Sequence, residues 1–396
     1  MLDLNAVQAA LKEFQLDGWL LGDFRGSNVL AERILEIDAD NVGSRRYFYC
    51  IPAQGVARKL VHRIESGVLD HLPGEKTVYL TWQSLEAGLK EMVGGMKMLA
   101  MEYSPRNGNP YISRMDAGTV ELVRSFGPEV VASGDLIQMF EAVWSDEQWA
   151  SHRAVAEQTE AAFVHAWNFI AERIREEGAT NECAVQSVIL DHFRQEGMVT
   201  HHPPIVAVNA HSGNPHYETG SGAETAIREN DLVLIDLWAK FDRPQAVYSD
   251  LTRMGYVGQT VPEKYNEIFR IVAAARDAAI ECVQSAFAAS RALEGWEVDR
   301  SCRKVIEDAG YGEFFVHRTG HSIGQETHGN GANIDDLETH EERRIMRRTC
   351  FSIEPGIYQP EFGIRSETNV FIDGDGNVHV TGGELQTEVL PILAAY

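Results

Sequence analysis

A chain of 396 residues exceeds the roughly 250 to 300 at which a single hydrophobic core stops growing, so two domains are expected. Hydrophobic residues at 44% and charged residues at 24% make a globular composition and argue against disorder. With 59 acidic against 35 basic residues, the net charge of -24 repels nucleic-acid phosphates and anionic membrane surfaces, so neither is an expected partner.

The five cysteines, Cys50, Cys183, Cys282, Cys302 and Cys350, are odd in number and scattered, with no CxxC pair. That usage fits a reducing cytoplasm. The opening MLDLNAVQAALKEFQ has no basic stretch ahead of an apolar run, so it does not read as a secretory signal, and no apolar run reaches the ~18 residues of a membrane span.

In chain order, residues 1–145 predict an α/β domain. Leu4, Val7, Leu11 and Phe14 share one face of an opening helix, and strands are expected at 18–22, 46–52, 77–82, 97–103 and 129–132. Ser145 with Gln148 forms a capping-box signature. It heads a long helix over 146–177, carried by Val155, Thr159, Phe163, Trp167, Ile170 and Ile174 and stopped by Gly178. The change of texture places a domain boundary near residue 145. The second domain, 146–396, is expected to be α+β and to repeat one plan twice. Helices over 146–177 and 181–196 precede a hairpin of strands 231–238 and 247–257; helices over 262–289 and 297–309 precede a hairpin of strands 350–354 and 364–372. This repeat is argued from element order alone.

Both hairpins carry acids inside apolar sequence. A turn centred on Arg243 sets Asp236 opposite Asp250, and one centred between Pro360 and Glu361 sets Glu354 opposite Glu367. Facing like charges on antiparallel strands are destabilising, and unpaired carboxylates in apolar runs are costly to bury. Acids facing solvent are the plainer reading of either pair; two pairs, one in each half, favour a bound cation. In VHRTGHSIGQETHGNG, His317, His321 and His328 lie among glycines that disfavour a helix, and His321 is the candidate fifth ligand, in a loop or at a strand edge. Four carboxylates and one imidazole match two divalent cations, with Mn²⁺ or Co²⁺ preferred and Zn²⁺ an alternative.

The order Asp236 in IDLWA, Asp250 in SDLTR, His321 in TGHSIG, Glu354 in SIEPGIY and Glu367 in GIRSETN resembles the ligand series of the pita-bread metallopeptidases. The resemblance covers 150–396, and LDGWLLGDFRGSN and RRYFYCIP resemble the N-domain of the prolidase and aminopeptidase P branch. It implies a pita-bread catalytic domain with a pseudo-two-fold repeat and hydrolysis of Xaa-Pro bonds in short proline-containing peptides. The expected activity is that of an Xaa-Pro dipeptidase, with an aminopeptidase acting on longer peptides as the alternative. A creatinase-like hydrolase or a non-catalytic binding protein of the same fold is more remote. By the same resemblance Asp250 and Glu367 bridge two metals, Asp236 holds one, and His321 and Glu354 complete the other. Glu354 also takes a proton from water; His216, in NPHYETG, and His328 are catalytic. His317 and Arg365 would line the leaving-group side, and relatives of this branch suggest a homodimer. Two departures stand out: Trp238 occupies a position where the family usually has Gly, and Gly329 follows His328 where an acid is usual. The segment EIDADNVGSRRYF offers Asp38, Asp40, Arg45 and Arg46, read either as a solvated loop or as a source of a substrate-binding residue, Arg46.

Overall fold

The computed structural model describes residues 2–37, 43–222 and 225–396. The chain divides into two compact units, Met1–Phe140 and Glu141–Tyr396.

The first unit is α/β. In chain order it contains α1 (Leu4–Glu13), β1 (Gly18–Asp23), α2 (Val29–Ile34), β2 (Tyr47–Pro52), β3 (Arg58–His62), β4 (Glu75–Tyr79), α3 (Trp82–Met92), β5 (Met98–Met101), α4 (Ala117–Ser125), β6 (Glu129–Ala132) and α5 (Gly134–Glu141). The six strands form one mixed sheet in the order β4-β3-β2-β1-β5-β6. β1 and β2 are buried along their whole length. Trp19, Leu21, Tyr49 and Ile51 pack with α1, α2 and α5, whereas Leu20, Phe48 and Cys50 pack with α3 and α4. A sheet covered on both faces needs apolar side chains at every position, which is why these strands read as unbroken apolar runs. β3 was not expected, because Arg58 and Lys59 open it. Lys59 is buried nonetheless, its ammonium donating to the carbonyls of Leu69 (3.1 Å) and Leu72 (2.6 Å).

The second unit begins with α6 (Asp146–Glu177), where Ser145 and Gln148 make the reciprocal capping bonds and Gly178 adopts the left-handed conformation that ends the helix. There follow β7 (Ala179–Asn181), α7 (Glu182–Gln195), β8 (Met198–Val199), β9 (Ile205–Val208), β10 (Ala226–Arg228), β11 (Leu232–Phe241) and β12 (Ser249–Tyr256). Next are α8 (Glu263–Ala288), α9 (Gly295–Asp308), β13 (Ser322–Ile323), β14 (Cys350–Ile353), β15 (Gly356–Tyr358), β16 (Gly363–Arg365), β17 (Thr368–Ile372), β18 (Val378–Thr381), β19 (Leu390–Pro391) and α10 (Ile392–Ala395). Along β11, Val233, Ile235, Leu237 and Ala239 face a core built with α6 and α7, while Leu232 and Leu234 face one built with α8 and α9. The two-residue period therefore turns Asp236 and Trp238 away from α6 and α7. Among the described residues no helix is long and apolar enough to cross a membrane.

Two expectations need correction. Asp236 is not opposite Asp250: it pairs with Thr252, and Asp250 pairs with Trp238. The connection between the strands is longer on its Asp250 side than a turn centred on Arg243 allows. A shift of two residues leaves every side chain on its face, so both carboxylates still point the same way. The second hairpin has the expected register, but its strands are interrupted. Ile353 pairs with Thr368 and Gly356 with Arg365, which leaves Glu354 and Glu367 between two short ladders. Pro355 lacks the N–H that would continue the pairing and accepts from Ser366 N–H (3.2 Å) instead.

Candidate metal centre

The elements bring four carboxylates and one histidine to one place. β11 supplies Asp236, β12 supplies Asp250, and the break between ladders supplies Glu354 and Glu367. His321 immediately precedes β13 and is held against β14: Ser352 N–H donates to the His321 carbonyl (2.9 Å), and Glu354 N–H to that of Thr319 (2.8 Å). Gly320 makes this approach feasible, because a Cβ there would lie 1.9 Å from the Ser352 carbonyl oxygen. His321 is thus a strand-edge residue.

Asp250, His321 and Glu367 each offer one ligand atom within 4.8 Å of the others. His321 Nε2 lies 3.5 Å from Asp250 Oδ2 and 3.4 Å from Glu354 Oε1. Thr252 Oγ1 donates to Glu367 Oε2 (2.7 Å), and an Arg365 Nη donates to Asp236 Oδ2 (2.5 Å). Asp236 Oδ1 is buried with no hydrogen-bond partner among the described residues. Desolvation lifts every one of the four carboxyls, Asp236 to about 6 and Asp250 to about 7, with Arg365 opposing the rise in both. Glu354 and Glu367 are raised for the same first reason, Glu367 also by the nearby charges of Asp250 and Glu354. Burial holds the His321 pKa down, leaving a neutral imidazole with a lone pair to offer. Buried acids clustered around a neutral histidine, one with an orphaned oxygen, are a donor set that fits divalent cations.

The remaining predicted residues are distributed around and away from this set. His328 stacks edge-on to His321 (ring centroids 4.3 Å apart). The His321 imidazole, then desolvation, pushes the His328 pKa down to about 3. His216 is exposed on the turn after β9, its N–H donating to Asn214 Oδ1 (3.1 Å), close enough that its charge acts on both His317 and His328. His317 has both ring nitrogens engaged, Nδ1 with the Arg318 carbonyl (2.7 Å) and Nε2 with the Tyr358 hydroxyl (2.7 Å). A carbonyl only accepts, so Nδ1 carries the proton and Nε2 accepts. Arg365 is 3% exposed, and besides Asp236 it donates to Tyr358 Oη (3.0 Å) and Thr252 Oγ1 (3.0 Å). Both side chains therefore form a network directly behind Asp236. Arg46 lies in the first unit, beside a cavity it lines with Asp23, Arg114 and Asp116. Arg45 N–H donates to Glu65 (2.9 Å), and Asp38 and Asp40 lie outside the described residues.

Sequence reasoning missed Thr252, Ser352, Tyr358 and Asn369, all of which bond to candidate ligands or to the side chains that hold them. It also missed the buried pair Asp299 and Arg303 on α9. That arginine donates to the Phe315 (3.0 Å) and His317 (2.9 Å) carbonyls, and the aspartate accepts from Thr319 N–H (2.9 Å). Thr252, Ser352 and Asn369 had a signal, each sitting two residues from Asp250, Glu354 or Glu367 and so on the same face of an expected strand; Tyr358 had none.

Residues 150–374 match the model of Metallopeptidase family M24. The chain belongs to this family. It is 35% identical over 237 residues to an Xaa-Pro dipeptidase of Lactobacillus delbrueckii subsp. lactis, covering 59% of this chain and 58% of that one. It is 34% identical over 181 residues to an Xaa-Pro dipeptidase of Pyrococcus furiosus, covering 46% and 47%. The chain thus spans about half the length of the curated relatives it matches. In fold it is similar to dipeptidase PepE from Mycobacterium ulcerans, with TM-score 0.65 and 22% identity over 98% of this chain and 96% of that one. The X-Pro aminopeptidase of Thermotoga maritima gives TM-score 0.55 and 20% identity over 96% and 99%. Membership of a metallopeptidase family implies divalent metal use, in accord with the donor set.

Proposed function

We propose that this M24 chain hydrolyses Xaa-Pro peptide bonds with two divalent ions, Mn²⁺ preferred, and that dipeptides are its main substrates. The observation that carries the reading is the convergence of Asp236, Asp250, Glu354 and Glu367 on His321, with each acid resisting ionisation in the absence of a cation. In this reading Asp250 and Glu367 would be ligands common to both ions, Asp236 would hold one, and His321 and Glu354 would hold the other. When bound, divalent cations lower the pKa of a shared water and polarise the scissile carbonyl. Glu354, half-buried with Ser352 Oγ donating to one oxygen (3.1 Å), is placed to take the water proton. His328 and His216 stabilise the developing oxyanion and pass a proton to the leaving nitrogen. Arg365 and His317 serve the leaving-group side, Arg365 by the N–H groups it does not direct at Asp236, Thr252 and Tyr358. Arg46 is assigned to substrate recognition.

The same reading divides the chain into an N-terminal domain, 1–145, and a catalytic domain, 146–396. The latter is taken as a pita-bread fold whose two helix-helix-hairpin halves form a pseudo-two-fold repeat, and the protein as a cytoplasmic homodimer, which sedimentation at micromolar concentration checks. That these relatives are called Xaa-Pro dipeptidases supports the choice of dipeptides over longer peptides as substrates. With Mn²⁺ added, Xaa-Pro dipeptides should be cleaved with at least tenfold higher kcat/KM than Xaa-Pro-Yaa tripeptides. Equal values would move the assignment to an aminopeptidase.

A further inference from the structure

The carboxylates of the centre stand on two separate sheets. β12 is hydrogen-bonded to β11, and β17 to β14 and β18. Where β12 passes β17, the Glu367 N–H reaches the Thr252 carbonyl at 3.4 Å, the long limit of a hydrogen bond. Continuing that antiparallel approach by two residues on each strand brings Asp250 to Asn369. The Asn369 main chain is already paired on both sides within its own sheet, with Ser352 and Thr381. Its side chain supplies the missing link. Asn369 Oδ1 accepts from Asp250 N–H (3.1 Å), and Nδ2 donates to the Asp250 carbonyl (2.6 Å).

A carboxamide presents one acceptor and one donor side by side, as a peptide group does, so it stands in for the strand residue that β12 lacks at this edge. Asn369 is fully buried and Asp250 nearly so, and water cannot take over either bond. Arg253 makes a second link, donating to the carbonyls of Thr252 (3.1 Å) and Glu367 (2.7 Å). The Arg253 bonds fasten the strands at Thr252 and Glu367, whereas the Asn369 bonds fasten Asp250 itself. Without them Asp250 is tied to the opposite sheet only through its neighbours.

We propose that Asn369 is a positioning residue that fixes the spacing of Asp250 and Glu367 and thereby the affinity for the second of two metal ions. The inference rests on the two-metal reading above. It is tested by titrating metal-free protein with Co²⁺ and following visible absorption, which reports ligand geometry independently of activity. Wild type should take up two equivalents. Asn369→Ala should keep one tight equivalent, weaken the other by about 10- to 100-fold, the usual cost of losing a group that orients a ligand, and change the absorption band. Its thermal midpoint without metal should fall by several degrees, because the Asp250 N–H and carbonyl lose partners that water cannot replace. If Asn369→Ala does not fold, Asn369→Thr carries the same test: threonine suits a strand and can make one of the two bonds, so a smaller loss in the same direction is expected. Two equivalents bound with wild-type affinity and spectrum in the variant that folds would overturn the clasp alone. A wild type that takes up no Co²⁺ would overturn the two-metal reading, and the clasp with it.

Discussion

Burial acts on single carboxyls in both units, and Glu102 of the first unit shows the effect away from any metal set. Its side chain is fully buried and accepts from Trp19 Nε1 (2.7 Å), Asn28 Nδ2 (2.9 Å) and Ser133 Oγ (3.2 Å). Desolvation outweighs these donors and lifts the pKa from 4.5 to about 7. A carboxyl raised on folding stabilises the fold fully below its unfolded pKa, and that stability is lost as pH rises through the folded value. From pH 4.5 to pH 7 the loss is on the order of 3 kcal/mol. Glu102→Gln lacks this slope, so the stability of wild type relative to the variant should fall between pH 5 and pH 8. Denaturant unfolding at the two pH values measures it, and a constant difference would contradict the assignment. At this scale the candidate ligands Asp236 and Glu354 were legible because each interrupts an apolar run. Which distant groups Thr252, Tyr358 and Asn369 would bond was not legible, since a polar residue in a strand carries no mark of what it will meet.

Among the elements, long helices were read well and strand pairing less so. The limits expected for α6 match because capping box, apolar period and terminal glycine agree. Hairpin register depends on the loop, and the segment between β11 and β12 gave a false centre at Arg243. The error was harmless to the site, because a two-residue slip preserves the face. The break at Pro355 could have been anticipated from its missing N–H; the burial of Lys59 in β3 could not. Gly320 is the most exacting position in these elements. Gly320→Ala would drive a methyl into the Ser352 carbonyl and lift His321 from β14. Overpacking of this kind costs ~1 to 3 kcal/mol, and activity should fall more than stability explains. Thermal midpoint together with kcat at saturating Mn²⁺ checks this, and unchanged values for both would refute it.

Over the whole molecule, the α/β character of the first unit and the helix-rich second unit follow from apolar patterning, while the ordered series Asp236, Asp250, His321, Glu354 and Glu367 pointed to the family. The surroundings of Arg46 were not legible, because sequence periodicity describes elements and not what a side chain in a loop will meet. The net charge of -24 also has local meaning: several of the acids that create it are buried together around His321. The central claim is that these residues hold two metal ions. Elemental analysis of protein loaded with Mn²⁺ and freed of excess should give two ions per chain for wild type. It should give fewer than one for Asp250→Asn, whose neutral side chain cannot balance both charges, together with loss of Xaa-Pro hydrolysis. Two Mn²⁺ retained by Asp250→Asn, with activity within tenfold of wild type, would contradict the account.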